Sequence, residues 1–342
     1  LPQIRLEPVL RARAEACAPG RVRFHHELVA LTQDEGGVLA EIEDKDQGTR
    51  YRVRARYLLG CDGGRTVGRM VGVELEGARG LQNEVSVHMT ADLSRWARDP
   101  EVLIRWIWVP ETAALAVLVP MGPDRWGPES EEWVFHLNYE TGDPRGLDDA
   151  QVEADMRRAL GIGAHPIAIH KITRWSLEGV VAQRFRAGRV FLVGDAAHRH
   201  PPTGGLGLNS AIQDAHNLCW KVAAVLRGEA SDRLLDSYEA ERRPTDARNV
   251  QRSVENAMNH WTIAQAIGLA ADAGADANWA KLRRLWSDRP EDAEQRRRYR
   301  RALASQSMEF REHAVEYGYA YDSSAIAPDG SEPPATIDPI RV

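Results

Sequence analysis

The residue types best suited to chemistry lie together between Gly188 and Trp220, in the run GRVFLVGDAAHRHPPTGGLGLNSAIQDAHNLCW. A short apolar segment, Val190 to Val193, predicts a buried strand. Asp195 stands just past it, a Pro-Pro-Thr-Gly-Gly loop follows, and the pattern turns helical after Leu206-Gly207. Strand, acid, glycine-rich loop and helix start, in that order, hold a cofactor at the carboxyl edge of a sheet. Each part has a use there. The Asp195 carboxylate can accept a hydroxyl hydrogen bond, worth roughly 1.5–3 kcal/mol when the acceptor is charged. The helix start offers unpaired N–H groups and about half a positive charge, which sets the amides of Leu208 and Asn209 toward an anionic group. Gly204, Gly205 and Gly207 admit a ligand close to the backbone, and Pro201 and Pro202 stiffen the loop.

His198, His200 and the downstream His216 raise the question of zinc. No Cys or carboxylate set stands with them at a known ligand spacing, so no metal is expected. His198 reads as a hydrogen-bonding support for the loop, and Asp214 as a brace for the helix start or a neighbouring strand. A second glycine turn, Gly60-Cys61-Asp62-Gly63-Gly64, closes a predicted strand from Ala55 to Gly60. Its Asp62 can accept bonds from backbone donors or from ribose hydroxyls.

These residues need a scaffold, and 342 residues can bury a large core in one or two domains. Charged residues make up 27% and the net charge is -6 with interspersed signs, so no nucleic-acid surface is expected. No apolar run approaches the ~20 residues needed to cross a bilayer, so no membrane partner is expected. No secretory signal opens the sequence, which points to the cytoplasm. Cys17, Cys61 and Cys219 are widely spaced and odd in number, and each is expected to be a small buried hydrophobe. The first residue is Leu, and the sequence ends in a proline-rich stretch; both edges read as those of a fragment.

In chain order, Leu1 to Ala16 reads as a helix with Ile4, Leu6, Val9 and Leu10 on its apolar side. Arg21 to Thr32, Val38 to Asp44 and Thr49 to Val53 alternate as a β-meander. Gln82 to Leu93, Val102 to Val109, Ala113 to Pro120 and Glu132 to Tyr139 predict a mixed or antiparallel sheet carrying Trp106, Trp108 and Trp133. Asp148 to Leu160 is a helix capped by Asp148 or Asp149, and Ile167 to Trp175 a strand. The helix from Leu206 to Arg227 places Leu208, Ile212, Ala215, Leu218, Val222 and Val225 on one face and stops at Gly228. Thr245 to Tyr317 reads as helical, with breaks near Gly274 and Pro290, and an extended linker follows from Tyr321.

Asp195, Pro201-Pro202, Gly204-Gly205, Gly207, Asn209, Asp214 and Trp220-Lys221 together resemble the second flavin motif of the para-hydroxybenzoate-hydroxylase-like, FAD-dependent aromatic hydroxylases. The His198-Arg199-His200-Pro201-Pro202 spelling is similar to the phenol and 2,4-dichlorophenol hydroxylase branch. Asp62-Gly63 resembles the family's Asp-Gly motif beside the FAD pyrophosphate, and Leu1-Pro2-Gln3 the helix whose Gln contacts FAD. The fold implied is α/β: a partial FAD-binding Rossmann-like domain, a β-sheet substrate domain and a helical C-terminal region. The matching division is 1–75 and 181–250 for the FAD-binding part, 76–180 for the substrate sheet, 251–320 for the helical region and 321–342 for the linker. The resemblance implies FAD contacts from Gln3, Asp62, Asp195, Pro202, Gly205, Gly207, Leu208 and Asn209. It sets the Pro202 carbonyl near the reacting edge of the ring. His200 could assist phenol deprotonation; otherwise it is structural. The activity implied is hydroxylation of a small phenolic aromatic with NADPH or NADH and O2, through a flavin C4a-hydroperoxide. A polyketide or antibiotic hydroxylase, a flavin reductase of the same fold, and a non-catalytic fragment are alternatives. A homodimer is left open.

Overall fold

The computed structural model describes residues 2–140, 142–311, 315, 318–327 and 330. The elements follow in the order α1 (Gln3–Cys17), β1 (His26–Asp34), β2 (Gly37–Asp44), β3 (Thr49–Ala55), β4 (Leu58–Gly60), α2 (Val67–Met70), β5 (Leu75–Thr90), β6 (Arg105–Val109), β7 (Ala114–Gly122), β8 (Glu132–Tyr139) and α3 (Asp149–Leu160). Then come β9 (Ala168–Ala182), β10 (Arg186–Ala187), β11 (Val190–Leu192), β12 (His198–Arg199), α4 (Leu206–Arg227), α5 (Asp236–Ile267), α6 (Ala275–Arg283) and α7 (Ala293–Ser305). The chain forms two compact units. The first comprises Leu1–Arg23, Gly80–Leu177 and Trp261–Ala304; the second comprises Phe24–Arg79, Glu178–His260 and Ser305–Val342.

In the first unit, β5, β8, β7 and β6 pair antiparallel in that order. Alternation along the strands buries Val85, Val87 and Met89 of β5 and Trp133, Phe135 and Leu137 of β8 with Val152 and Met156 of α3. Trp133 is fully buried and its indole N–H donates to the Ala91 carbonyl, 3.1 Å away, so the core's largest side chain leaves no polar atom unpaired. Asp148 caps α3 through bonds from the amides of Ala150 and Gln151, and Gly161 ends it in the left-handed region. The end of α5 packs Ile263 and Ile267 against Leu282 of α6 and Ala302 of α7. The first helical break falls at Gly268 (φ 87°), ahead of the expected one at Gly274. Helix α1 forms as expected, but none of its residues is buried: Ile4, Val9 and Leu10 all lie exposed.

In the second unit, β1, β2 and β3 make the expected antiparallel meander. Strand β4 is shorter than the Ala55 to Gly60 expectation, because Ala55 pairs with Val38 as the end of β3. Strands β4 and β11 run parallel, with Leu58 opposite Val190 and Gly60 opposite Leu192. Their residues pack on Phe185, Leu218 of α4 and Tyr238 of α5, whose hydroxyl donates to the Leu192 carbonyl at 2.7 Å.

Helix α4 has the expected bounds, yet the face it buries differs from the expected apolar one. Ser210, Asp214, Asn217, Leu218, Lys221 and Val225 are buried, whereas Leu208 and Ile212 are 50% and 53% exposed. Partners on α5 make a polar inner face tolerable: Lys221 Nζ bonds Glu241 Oε2 (2.6 Å) and Asn217 Oδ1 (2.8 Å), and Asn217 Nδ2 donates to the same Glu241 oxygen (2.7 Å). The cysteine expectation is also corrected. Cys17, Cys61 and Cys219 are all exposed free thiols, because they sit on α1, on the loop after β4 and on the outer face of α4. Among the described residues no helix is long and apolar enough to cross a membrane. The prolines of the expected linker, Pro328, Pro333, Pro334 and Pro339, lie outside the described residues.

Candidate functional site

The parallel pairing of β4 with β11 ends both strands at the same edge, and each releases its motif there. Val193 N–H donates to the Gly60 carbonyl at 3.0 Å, which locks the two strand ends together. Beyond β4, Gly64 adopts φ 73°, and a Cβ on it would lie 3.1 Å from the Asp195 carbonyl and 2.8 Å from Arg199 Nη1. Glycine is needed there for both conformation and space. Arg199 completes the joint: Nη1 donates to the Gly63 carbonyl (3.1 Å) and Nε to Glu178 (2.8 Å). Two stretches more than a hundred residues apart in the sequence thus form one loop pair.

Asp62 spends its carboxylate on its own loop. It accepts from the amides of Gly64 (3.2 Å), Thr66 (2.5 Å) and Val67 (2.8 Å), and so caps the start of α2. Backbone donors are one of the two kinds of partner its sequence allowed. Asp195 lies at the end of β11 in a short 3-10 turn, Gly194–Ala196, with its side chain exposed.

The loop 201–205 is held from two sides. Thr203 Oγ1 donates to the Ser253 carbonyl of α5 (2.6 Å), and Gly204 N–H to Glu309 Oε1 (3.0 Å), whose other oxygen bonds His260 Nε2 (2.6 Å). Gly205 N–H donates to the Pro202 carbonyl (3.1 Å), the oxygen that the family resemblance sets near a reacting ring. Gly205 (φ 64°) is the N-cap of α4 and supplies no side-chain cap. The free amides at the helix start are therefore those of Leu206, Gly207 and Leu208. Asn209, paired with Leu208 in the sequence reading, stands one residue too far in to offer a free amide; its side chain donates to the Gly205 carbonyl instead (2.8 Å). A cavity of about 420 Å³ opens here, lined by Gly204, Leu206, Asn209, Ser210, Gln213 and Asn249. Asn249 Oδ1 is buried and lacks a hydrogen-bond partner, while its Nδ2 donates to Ser210 Oγ. A Cβ on Gly207 would meet no atom within 4 Å, so the space beside the helix start is open. Uncapped amides, open space and an orphaned acceptor fit a large polar cofactor such as FAD. Gln3 belongs to the first unit, where it is exposed and its amide donates to Glu7 Oε1 (2.7 Å).

Behind the loop lies a cluster that the sequence separated. His198 Nε2 bonds Asp214 Oδ2 at 2.7 Å and lies 3.6 Å from Asp246 Oδ2. Arg242 bonds both acids, Nε to Asp214 (2.8 Å) and Nη2 to Asp246 (2.7 Å). All four side chains are fully buried. The ligand atoms of His198, Asp214 and Asp246 are close enough to hold a metal ion, a grouping that no sequence spacing announced. The Arg242 guanidinium bridges both carboxylates and supplies the positive charge that a cation would bring. Asp214 also accepts from the Gly194 amide (3.1 Å), so it braces strand end and helix together, as expected.

Burial alone would lower the His198 pKa, but the Asp214 hydrogen bond and the two acids raise it. Burial and then the His198 charge push His200 down to about 3. His198 Nε2 thus faces Asp214, and its Nδ1 lies 2.9 Å from His200 Nε2. Burial raises Asp246 to about 8, while His198 and Arg242 keep Asp214 low against the same burial. Sequence reading missed Arg242, Asp246, Asn249 and Glu309; Arg242 and Asp246 stand four residues apart on α5, but Arg242 lies before the helix that the sequence predicts from Thr245.

Residues 1–253 match the family model described as FAD binding domain. The chain is 35% identical to a 2,4-dichlorophenol 6-monooxygenase of Delftia acidovorans over 98% of its own length and 57% of that protein's. It is equally 35% identical to a tetracenomycin A2 monooxygenase-dioxygenase of Streptomyces glaucescens, over 95% of its own length and 51% of that protein's. A crystal structure of the flavin-dependent monooxygenase PieE in complex with FAD and substrate superposes with a TM-score of 0.89 at 36% identity, covering 98% of this chain and 58% of that one. The chain thus spans a little over half the length of these relatives. With its two glycine-rich loops joined at one sheet edge and residues 1–253 matching the FAD binding domain, it belongs to the FAD-binding, para-hydroxybenzoate-hydroxylase-like family that includes these monooxygenases.

Proposed function

We propose that this chain carries the flavin-facing part of an NADPH- or NADH-dependent monooxygenase that hydroxylates a phenolic aromatic with O2. The observation that carries the reading is the joint of the Asp62-Gly63-Gly64 loop with Asp195 beside the uncapped start of α4. FAD, once bound and reduced by the nicotinamide nucleotide, would supply the oxygen-activating ring. The chain's own residues bind and orient it. Asp195 accepts a hydroxyl of the ribityl chain. The amides of Leu206, Gly207 and Leu208 would donate to the ring's electron-rich side. The loop 201–205, fixed by Ser253 and Glu309, sets the Pro202 carbonyl.

His200 is better suited to position than to deprotonate. An imidazole held at about 3 is a weak base for a phenol, whose proton leaves near pH ~10. In this reading it stays neutral and stiffens the loop through His198.

FAD retention tests the proposal. Asp195→Ala removes one charged acceptor and should weaken FAD binding by at least about tenfold, with the thermal midpoint little changed. Unchanged retention would sink the assignment. NADPH and NADH oxidation by the flavin-loaded protein, screened against phenols, then reads the substrate: oxidation without hydroxylated product argues against a phenol, and failure to bind flavin favours a non-catalytic role.

A further inference from the structure

Helix α6, in the first unit, buries one side and leaves another bare. Asn278 and Leu282 are buried, and Leu285 packs on the same cluster as Leu282, with Ile263, Ile267 and Ala302. Trp279, Arg283 and Trp286 follow one another four and then three residues apart, the spacing of a single helix side. The helix ends at Arg283 and passes into a short 3-10 turn, Arg284–Trp286. Positions three apart in such a turn eclipse, so Trp286 stays on the side of Arg283. Trp279 is 42% exposed and Trp286 75%. A tryptophan that serves the core is drawn inside, as Trp133 is; these two rings are left against water.

Cations surround this row. Arg283 is exposed and forms no ion pair among the described residues. The Arg296 guanidinium of α7 donates to the carbonyls of Ser287 and Arg289, which sets that flank of α7 beside the turn holding Trp286. Arg300 follows Arg296 by four residues and Leu303, 43% exposed, by seven, so the three share the flank while Gln295 and Ala302 are buried. Like charges four apart on a helix repel, so Arg296 and Arg300 stand together against their own electrostatics. Between residues 275 and 305 nine lysines and arginines face five acids, in a chain whose net charge is -6. Two of those acids are taken: Asp292 by Arg284, and Glu294 by Arg297 and Arg301. Asp276 precedes the tryptophan row, and Asp288 and Glu291 follow it.

Tryptophan and arginine are the residue types that carry most of the binding energy at protein interfaces. A row at i, i+4 and i+7 is the register in which one helix meets another. We propose that this face of α6, flanked by Arg296 and Arg300 of α7, docks an acidic amphipathic helix of a partner protein. The partner's apolar side would cover Trp279 and Trp286, and its carboxylates would pair with Arg283 and Arg300. A lipid surface fits less well, because Arg283 divides the two rings and no run of Leu or Phe accompanies them. The inference needs neither flavin nor substrate.

The test is fluorescence anisotropy with a dye-labelled helical peptide of glutamate and leucine, about 18 residues long and apolar along one side, titrated with the chain. The peptide is expected to bind at about 20 mM salt and at least about tenfold more weakly at about 200 mM. A peptide of the same composition in scrambled order, and one with lysine in place of glutamate, should also bind at least about tenfold more weakly. Trp286→Ala and Arg283→Glu should each weaken the first peptide by at least about tenfold. Both positions are exposed, and thermal melts check that each variant is folded. No binding of the first peptide overturns the proposal. So does equal binding of the scrambled peptide, which would mean attraction to any polyanion, and so does a Trp286→Ala variant that binds as the unmutated chain does. Sedimentation of the chain with phosphatidylglycerol vesicles, abolished by Trp286→Ala, would overturn it in favour of a membrane.

Discussion

The buried cluster behind the loop shows what one residue's partners decide. A histidine three residues before a Pro-Pro pair reads as a loop support, and His198 is one, but the support consists of Asp214, Arg242 and Asp246. Nothing in the sequence joins residues 198, 214 and 242, since the contacts arise only when α4 and α5 pack. Removing one member leaves its partners charged and dry. Asp214→Asn is expected to destabilise the fold by about 3–5 kcal/mol, read from the urea midpoint, because Arg242 and His198 lose their shared counter-charge. Breaking the exposed Arg227–Glu229 pair by Glu229→Gln should leave the urea midpoint nearly unchanged, because solvent screens it. Arg242→Lys should not rescue, because a point charge cannot take two carboxylates in the geometry of the guanidinium fork. A loss as small for Asp214→Asn as for the surface pair would show that the cluster is not held as a unit.

Helix α4 was the element most legible in the sequence and the one most misread in orientation. Its bounds followed from periodicity and from Gly228, which ends it at φ 77°. The periodicity could not reveal the buried face, because polar residues there are neutralised by side chains from α5 that lie far along the sequence. The strands were legible where alternation is strong, as in β8, and misjudged where glycine or a partner strand sets the end, as in β4 and β5. The start of α4 also separates folding from binding. Gly207 lies within the helix, and a side chain there would meet no protein atom. Gly207→Ala should therefore leave stability unchanged or raise it by up to about 1 kcal/mol, since alanine favours helix. If the proposed FAD site lies beside this helix start, the same methyl group would intrude on it and FAD affinity should fall. Thermal melts and FAD titration on one variant check both signs; parallel losses in stability and affinity would mean that the residue serves packing alone.

Across the whole molecule, the sequence conveyed an α/β flavoprotein architecture through motifs and apolar periods but concealed how much polar chemistry lies inside. That concealed part makes stability depend on pH in a way its groups define. His136 is lowered to about 4 by burial, and His200 to about 3 by burial and then the His198 charge. Against an unfolded value near ~6.5, their contribution is present above that pH and is lost as pH falls toward 4 and 3. Glu84 and Asp246, raised to about 8 chiefly by burial, act oppositely: their contribution is present below the ordinary carboxylate range and is lost as pH rises toward 8. His198, held above its ordinary value by its acid partners against its own burial, contributes below ~6.5 and loses that as pH rises through its folded value. Between about 4.5 and 6.5 the two sets oppose each other, and above 6.5 only the second acts. The thermal midpoint should therefore change little from pH 5 to 6.5 and decline by several degrees by pH 8. Glu84→Gln removes one titrating group in the first unit and should make the decline from pH 6.5 to 8 shallower. His136→Gln should leave that arm alone and lessen the loss on the acid side. Melts of the three proteins at pH 5, 6.5 and 8 compare slopes and not absolute stabilities, so any packing cost of a substitution cancels. A Glu84→Gln slope equal to that of the unmutated chain above pH 6.5 would mean that this carboxyl is already ionised inside the sheet.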